Sequence, residues 1–141
     1  MIAVDTNVLV YAHRSEFPQH RAALGALRRL SEGPAAWAIP VFVLGEFIRV
    51  ATHPRVLSPP STTSDAIAVL DELLSSPSVR ILLPQDRYWE LLREAIRESA
   101  ARGNIVFDAQ IVALCREHGV VEILTEDRDF RAFRGIAIKS L

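Results

Sequence analysis

Five short apolar segments that alternate with helical stretches constrain the fold of this chain more than any other feature. The pattern predicts strands at residues 2–4, 35–39, 79–83, 122–124 and 136–138. It predicts helices at residues 18–32, 41–53, 65–75, 86–101 and 107–119, together with a helical stretch that starts at residues 8–13. Short strands separated by helices are typical of an α/β fold built on a mainly parallel sheet.

Side-chain patterns within these segments predict what is buried and what is loop. In the helix at 86–101, Trp89, Leu92 and Ile96 are predicted to share one apolar face. Cys115 lies in an apolar run, which indicates a core residue rather than a nucleophile. Residues 54–64 contain three prolines and a cluster of serine and threonine, so they are predicted to form a loop.

The composition is that of a globular protein, and it excludes several classes. A chain of 141 residues suits one domain with a substantial core, and its apolar runs are too short to cross a bilayer. One cysteine cannot form an internal disulfide, and no leader is evident before Asp5, so we expect a cytoplasmic protein. The net charge of −1 provides no general attraction to nucleic acid. Fifteen arginines against one lysine suit phosphate pairing, or reflect a GC-rich genome.

Acidic residues follow two of the predicted strands directly. Asp5 ends the first strand, and the segment TEDRDF at residues 125–130 follows the strand at 122–124. Ligands of parallel α/β sheets bind at the carboxyl ends of the strands. Both acidic elements are therefore predicted to lie at the functional edge of the sheet.

Each acid also has an ordinary structural explanation when it is considered alone. Asp5 could cap the helix that follows it, and Asp108 could cap or complement the dipole of the helix at 107–119. Glu46 lies at the border of a buried helical stripe and could pair with Arg49 one turn later, a contact that stabilises a helix only weakly.

Several acids that converge on one crevice would require a different explanation. Carboxylates held close together repel one another unless a cation neutralises them. Oxygen ligands favour Mg²⁺ or Mn²⁺, whereas no thiolate or paired-histidine zinc motif is present. The sequence also lacks a Walker loop, a GxGxxG motif and a GxSxG motif. A carboxylate-bound divalent ion is the chemistry that this pattern favours.

Four segments in this order resemble the four acidic motifs of the PIN-domain ribonucleases, and most closely those of VapC-type toxins from type II toxin–antitoxin systems. The segments are AVDTNVLVYA, PVFVLGEFIRV, ARGNIVFDAQIVALCREHG and ILTEDRDF. They extend over nearly the whole chain. The resemblance implies that residues 1–141 form a single PIN domain with three layers, α/β/α, around a mainly parallel sheet.

The resemblance also implies the activity and the residues that perform it. The protein would cleave RNA with Mg²⁺ or Mn²⁺, would act on structured RNA such as tRNA or rRNA, and would thereby inhibit translation and growth. The core acidic ligands would be Asp5, Glu46, Asp108 and Asp127. Asp129 is a possible additional acid, because it follows Asp127 closely. The polar residues that orient the acids would be Thr6, Asn7 and Thr125.

Partners and RNA contacts follow from the same resemblance. A homodimer and a cognate antitoxin are implied, together with a toxin–antitoxin hetero-oligomer and no membrane association. An antitoxin arginine could pair with the acids as a cation does. Candidate RNA contacts near the motifs are Arg14, Arg49, Arg55, Arg102 and Asn104, with possible help from His13 and His53.

Two alternatives from other classes remain at this point. A PIN relative without metal could serve as an RNA-binding or interaction module, although acids stand at all four motifs. A Mg²⁺-dependent phosphatase could use Asp5 as an aspartate nucleophile, but Asn7 then occupies the place of its second acid.

Overall fold

The computed structural model describes residues 1–141 and contains all five predicted strands. The strands are β1 (Ile2–Val4), β2 (Trp37–Pro40), β3 (Val79–Leu82), β4 (Glu122–Leu124) and β5 (Ala137–Lys139). The helices are α1 (Thr6–His13), α2 (His20–Glu32), α3 (Val41–Ala51), α4 (Thr63–Leu74), α5 (Tyr88–Ser99) and α6 (Ile105–Glu117). A short 3₁₀ helix (Arg128–Ala132) links β4 to β5.

The strands form one sheet in the order β3-β2-β1-β4-β5, and every pair in it is parallel. The order reverses between β1 and β4, which pair in register from Ile2 opposite Glu122 to Val4 opposite Leu124. Right-handed crossovers place α1–α4 on one face of such a sheet and α5 and α6 on the other. The predicted three-layer α/β/α fold is confirmed, with a sheet that is wholly rather than mainly parallel.

The core occupies both faces of this sheet. Trp37, Phe47 and Phe130 are its largest fully buried side chains, and the indole nitrogen of Trp37 donates a hydrogen bond to Ser78 Oγ at 3.2 Å. Cys115 is fully buried, and burial raises the pKa of its thiol to about 12. The prediction that Cys115 is a core residue is confirmed. None of the helices combines the length and the apolar character that a membrane span requires.

The element boundaries differ from the predicted ones by up to two residues, and one burial prediction is wrong. Helix α1 begins at Thr6, two residues earlier than predicted, because Asp5 caps it. In α5 the buried side chains are Leu91, Leu92 and Ala95, whereas Trp89 is 64% exposed. The prediction that Trp89 lies on the buried face was therefore wrong. With 100° of rotation per residue, Trp89 points well away from the centre of the face formed by these three buried residues.

Candidate active site

The predicted acids lie at the centre of the sheet, where the strand order reverses. Asp5 follows β1, and its backbone N–H donates to Leu124 O at the end of β4 at 3.1 Å. Glu46 is carried by α3 and Asp108 by the first turn of α6. With Asp127 they line one cleft of about 310 Å³. The fold therefore brings all four predicted acids together.

Asp5 is only 6% exposed, and its carboxylate accepts three hydrogen bonds. Its Oδ1 accepts from the backbone N–H of Thr6 at 2.7 Å, which caps α1. Its Oδ2 accepts from Asn7 Nδ2 at 2.7 Å and from Thr125 Oγ1 at 2.6 Å. The pKa of Asp5 is raised to about 6, mainly by burial. The hydrogen bonds from Thr125 and Thr6 lower this pKa, and the charges of the neighbouring acids Glu46 and Asp127 raise it. Asp5 is thus both a helix cap and a member of the acidic cluster.

Glu46 uses its two carboxylate oxygens on different partners. Its Oε2 accepts from Thr6 Oγ1 at 2.7 Å, and its Oε1 lies 3.2 Å from Arg49 Nη2. The pair with Arg49 that the helical spacing predicts is therefore present. The hydrogen bond from Thr6 gives Glu46 a second, more buried partner that the spacing did not indicate.

Among the four acids that line the cleft, only Asp108 has no polar partner. Its carboxylate makes no hydrogen bond, and the residue before α6, Asn104, caps the helix with no side-chain bond. The pKa of Asp108 is raised to about 7, first by burial and then by the charges of Asp127, Asp5, Asp129 and Glu46. The capping explanation for Asp108 is not supported, although its charge still complements the helix dipole.

Asp127 and Asp129 both approach Asp108. Carboxylate oxygens of these three residues lie within 4.8 Å of one another. Asp127 is half-buried and lines the cleft, and its Oδ1 accepts from Asp129 N at 2.8 Å. Asp129 is exposed. Carboxylate oxygens this close to one another fit a hard divalent cation.

A polar network ties the acids to the ends of two strands. Thr125 is fully buried, and its Oγ1 accepts from Asn7 Nδ2 at 2.8 Å and from Asp127 N at 2.9 Å. Asn7 Oδ1 accepts in turn from the backbone N–H of Glu126 at 3.3 Å. The three orienting residues that the resemblance implies, Thr6, Asn7 and Thr125, all contact an acid or its neighbour.

The predicted RNA contacts are arranged less uniformly. Arg14 is largely buried, donating to Glu16 Oε1 at 2.8 Å and to Ser61 Oγ at 3.2 Å, so its guanidinium is already engaged. Arg49 pairs with Glu46 but does not line the cleft itself. Arg55, Arg102 and Asn104 are exposed. These assignments stay predictions.

One side of the cleft was not predicted from the sequence. It is apolar and consists of Val10, Tyr11, Phe17, Val50 and Val56, which we call the apolar wall. Val10 and Tyr11 lie within the first motif and Val50 lies within the second, but Phe17 and Val56 belong to a turn and a loop. Neither carries a periodic signal that points to the cleft.

The raised pKa values predict how stability depends on pH when divalent ions are absent. An acid whose pKa is higher in the folded state stabilises the fold below its unfolded value and loses that contribution as pH rises through the folded value. In EDTA the protein should therefore lose stability as pH rises from about 5 to about 8. The Asp108→Asn protein should lose less stability over the same range. Its free energy of unfolding should therefore rise relative to that of the wild type by roughly 1–2 kcal/mol between the lower and the higher pH, which corresponds to several degrees in Tm.

Differential scanning calorimetry in EDTA at both ends of the range measures this difference. Asp71→Asn, at an exposed position of α4, is the matched control and should shift Tm little at either pH. An Asp108→Asn protein that melts below the wild type at the higher pH would show that this carboxylate stabilises the fold.

This chain is similar to known proteins in both sequence and fold. The PIN domain family model matches residues 2–136. The VapC ribonuclease Mb2897 of Mycobacterium bovis is 38% identical over 95% of this chain and 90% of its own length. Mycobacterium tuberculosis VapC20, described as a sarcin–ricin loop cleaving toxin, has a similar fold with a TM-score of 0.67, 21% identity and coverage of 96% and 98% of the two chains. A chain of a toxin–antitoxin complex from Klebsiella pneumoniae matches with a TM-score of 0.62, 19% identity and coverage of 97% and 96%.

Proposed function

This chain belongs to the PIN domain family, in its VapC branch, and from that premise we propose that it is a divalent-metal-dependent endoribonuclease and the toxin of a toxin–antitoxin pair. The observation that carries the proposal is the environment of the Asp108 carboxylate. Its partly buried carboxylate has no hydrogen-bond partner and faces three other acids of the cleft. The dipole of α6 compensates such a charge only weakly, whereas a bound cation would compensate it strongly.

The ligands of that cation are Asp5, Glu46, Asp108 and Asp127, and the donor chemistry suits Mg²⁺ or Mn²⁺. When bound, such an ion offsets negative charge on the phosphodiester and makes water a better nucleophile. Without it, the acidic cleft repels the phosphates of RNA.

The protein's own contribution is to hold these acids in fixed positions. The backbone of Thr6 and the side chains of Asn7 and Thr125 hold Asp5, while Thr6 Oγ1 also holds Glu46. Thr125 Oγ1 fixes the start of the turn that carries Asp127. Orienting contacts of this kind restrict the motion of metal ligands and preserve the geometry of a site.

Asn7 disfavours the phosphatase alternative, because it stands in the place of the second acid of such enzymes. Its side chain donates a hydrogen bond to Asp5 Oδ2 at 2.7 Å. An amide cannot transfer a proton as a carboxylic acid does. The clustering of all four acids likewise disfavours a binding module without metal.

The proposal extends to partners and setting. The substrate is a structured RNA such as tRNA or rRNA, and its cleavage inhibits translation and growth. A cognate antitoxin binds the protein, which forms a homodimer and, with the antitoxin, a hetero-oligomer in the cytoplasm. Residues 1–141 act as one PIN domain with a single core. Homology to a VapC ribonuclease and the fold shared with a toxin–antitoxin complex support these assignments.

Incubation of the purified protein with total cellular RNA tests the activity. We expect discrete new RNA ends with Mn²⁺ or Mg²⁺ and none with EDTA, mapped by sequencing of 5′ ends. Cleavage that persists in EDTA would contradict the metal dependence, and intact RNA under all conditions would contradict the ribonuclease assignment.

A further inference from the structure

The cleft has two unlike sides, and the proposed function uses only one of them. Its acidic side holds Asp5, Glu46, Asp108 and Asp127, and the apolar wall faces the same space of about 310 Å³. A phosphodiester at the acids brings its adjoining nucleosides close to this space. The chemistry of the wall therefore bears on which nucleotides the site accepts.

Two aromatic rings form the firm part of the wall. The rings of Tyr11 and Phe17 pack edge to face, with centroids 5.1 Å apart and planes at 61°. The turn after α1 holds Phe17 in place, since Phe17 N donates to Arg14 O and His20 N donates to Phe17 O. Both residues are half-buried, and the hydroxyl of Tyr11 makes no hydrogen bond. The pair thus keeps partly exposed ring surface and a free polar group.

Val56 completes the wall from the loop between α3 and α4. It is 53% exposed, yet its backbone N–H donates to His53 O at 3.0 Å and the next residue, Leu57, is buried. Farther along the loop, Ser61 Oγ lies 2.8 Å from His13 Nε2 on α1. An exposed valine on an anchored loop presents apolar surface to the cleft at little cost in ordering.

Resting on the proposed function, we propose that the apolar wall binds one unstacked nucleobase next to the phosphodiester that is cleaved. Proteins read single-stranded RNA by splaying bases out and packing them on aromatic side chains. Such contacts contribute about 1–3 kcal/mol per base and tolerate different bases. The substrate is then an RNA with an unpaired nucleotide at the cut, and a duplex that keeps this base stacked is a poor substrate.

Kinetics on a short single-stranded RNA with one mapped cut test this assignment. Replacing the nucleotide on one side of the cut by an abasic residue should lower kcat/KM by roughly 5- to 100-fold for the wild type. The same replacement should cost a Tyr11→Ala/Phe17→Ala protein little more, because the contact is already lost. Trp89→Ala, which removes an exposed aromatic ring outside the cleft, should behave as the wild type.

Val56 provides a variant that does not disturb the core, since its side chain is largely exposed. Val56→Asn should lower kcat/KM for the intact RNA and diminish the effect of the abasic residue, whereas Val56→Leu should preserve both. A binding readout uses Asp108→Asn protein and RNA with 2-aminopurine at the same position. Its fluorescence should change on binding, and Val56→Asn in that background should reduce the change.

The outcomes separate the two proposals. If the wild type cleaves RNA and abasic residues on either side of the cut have no effect, the nucleobase assignment is wrong and the ribonuclease assignment stands. If the wall variants retain the abasic effect but lose binding of the cognate antitoxin, the wall is a protein contact and the assignment is again overturned. If the wild type cleaves no RNA, both proposals fail.

Discussion

Replacing Asp108 by asparagine is expected to lower kcat/KM for RNA cleavage by roughly 10²–10³-fold while the protein remains folded. The substitution keeps the size of the side chain and removes the charge that the proposed cation needs. Because the carboxylate makes no hydrogen bond, its removal leaves no polar partner of Asp108 unsatisfied. Initial rates over a series of Mn²⁺ concentrations measure the effect.

Asp71→Asn is the control for this assay, because it makes the same chemical change at an exposed position of α4. It should cleave RNA at the wild-type rate. Excess Mn²⁺ should recover part of the activity of Asp108→Asn if the loss lies in metal affinity. Cleavage by Asp108→Asn at the wild-type rate would remove this residue from the mechanism.

Replacing Asp127 by asparagine should also lower kcat/KM by roughly 10²–10³-fold, whereas Asp129→Asn should lower it by less than about tenfold. Asp127 is half-buried, lines the cleft, and is the neighbouring charge with the largest effect on the pKa of Asp108. Asp129 is exposed and contributes less to that pKa. Asparagine at 127 retains an oxygen that can accept from Asp129 N, so the 3₁₀ helix should keep its cap.

Parallel rate measurements on the two variants decide which acid is the ligand. Circular dichroism checks that neither substitution has unfolded the protein. If Asp129→Asn is the more damaged protein, the exposed acid is the ligand and Asp127 serves the turn. Equal losses in both would indicate that the two carboxylates share the cation.

The elements of this fold were predictable because short buried strands and amphipathic helices carry strong periodic signals. The end of β1 at Asp5 was equally clear, since an acid interrupts an apolar run. The exposure of Trp89 was not predictable from the sequence. Leu91 and Ala95 move the buried face of α5 away from Trp89, and the packing of α5 against α6 determines which face is buried.

The site was predictable to a different degree for each residue. Motif order implied the four acids, but the sequence could not separate a capping Asp108 from one without a partner. That distinction depends on where the neighbouring backbone N–H groups and acids lie in space. Phe17 and Val56 reach the cleft through a turn and a loop, whose paths are set by hydrogen bonds to distant residues such as the one between Ser61 and His13.

The hydrogen bond from Thr125 Oγ1 to Asp5 Oδ2 has a consequence for the synthesis of the protein. Its partners are 120 residues apart, and Asp127 follows only two residues later. A nascent chain on the ribosome therefore carries Asp5 and Glu46 long before, and Asp108 shortly before, β4 can pair with β1 and bring them to Asp127. On the proposed function, a chain whose synthesis stops before Asp127 lacks the fourth ligand, so the cleft is completed only when most of the protein has been made.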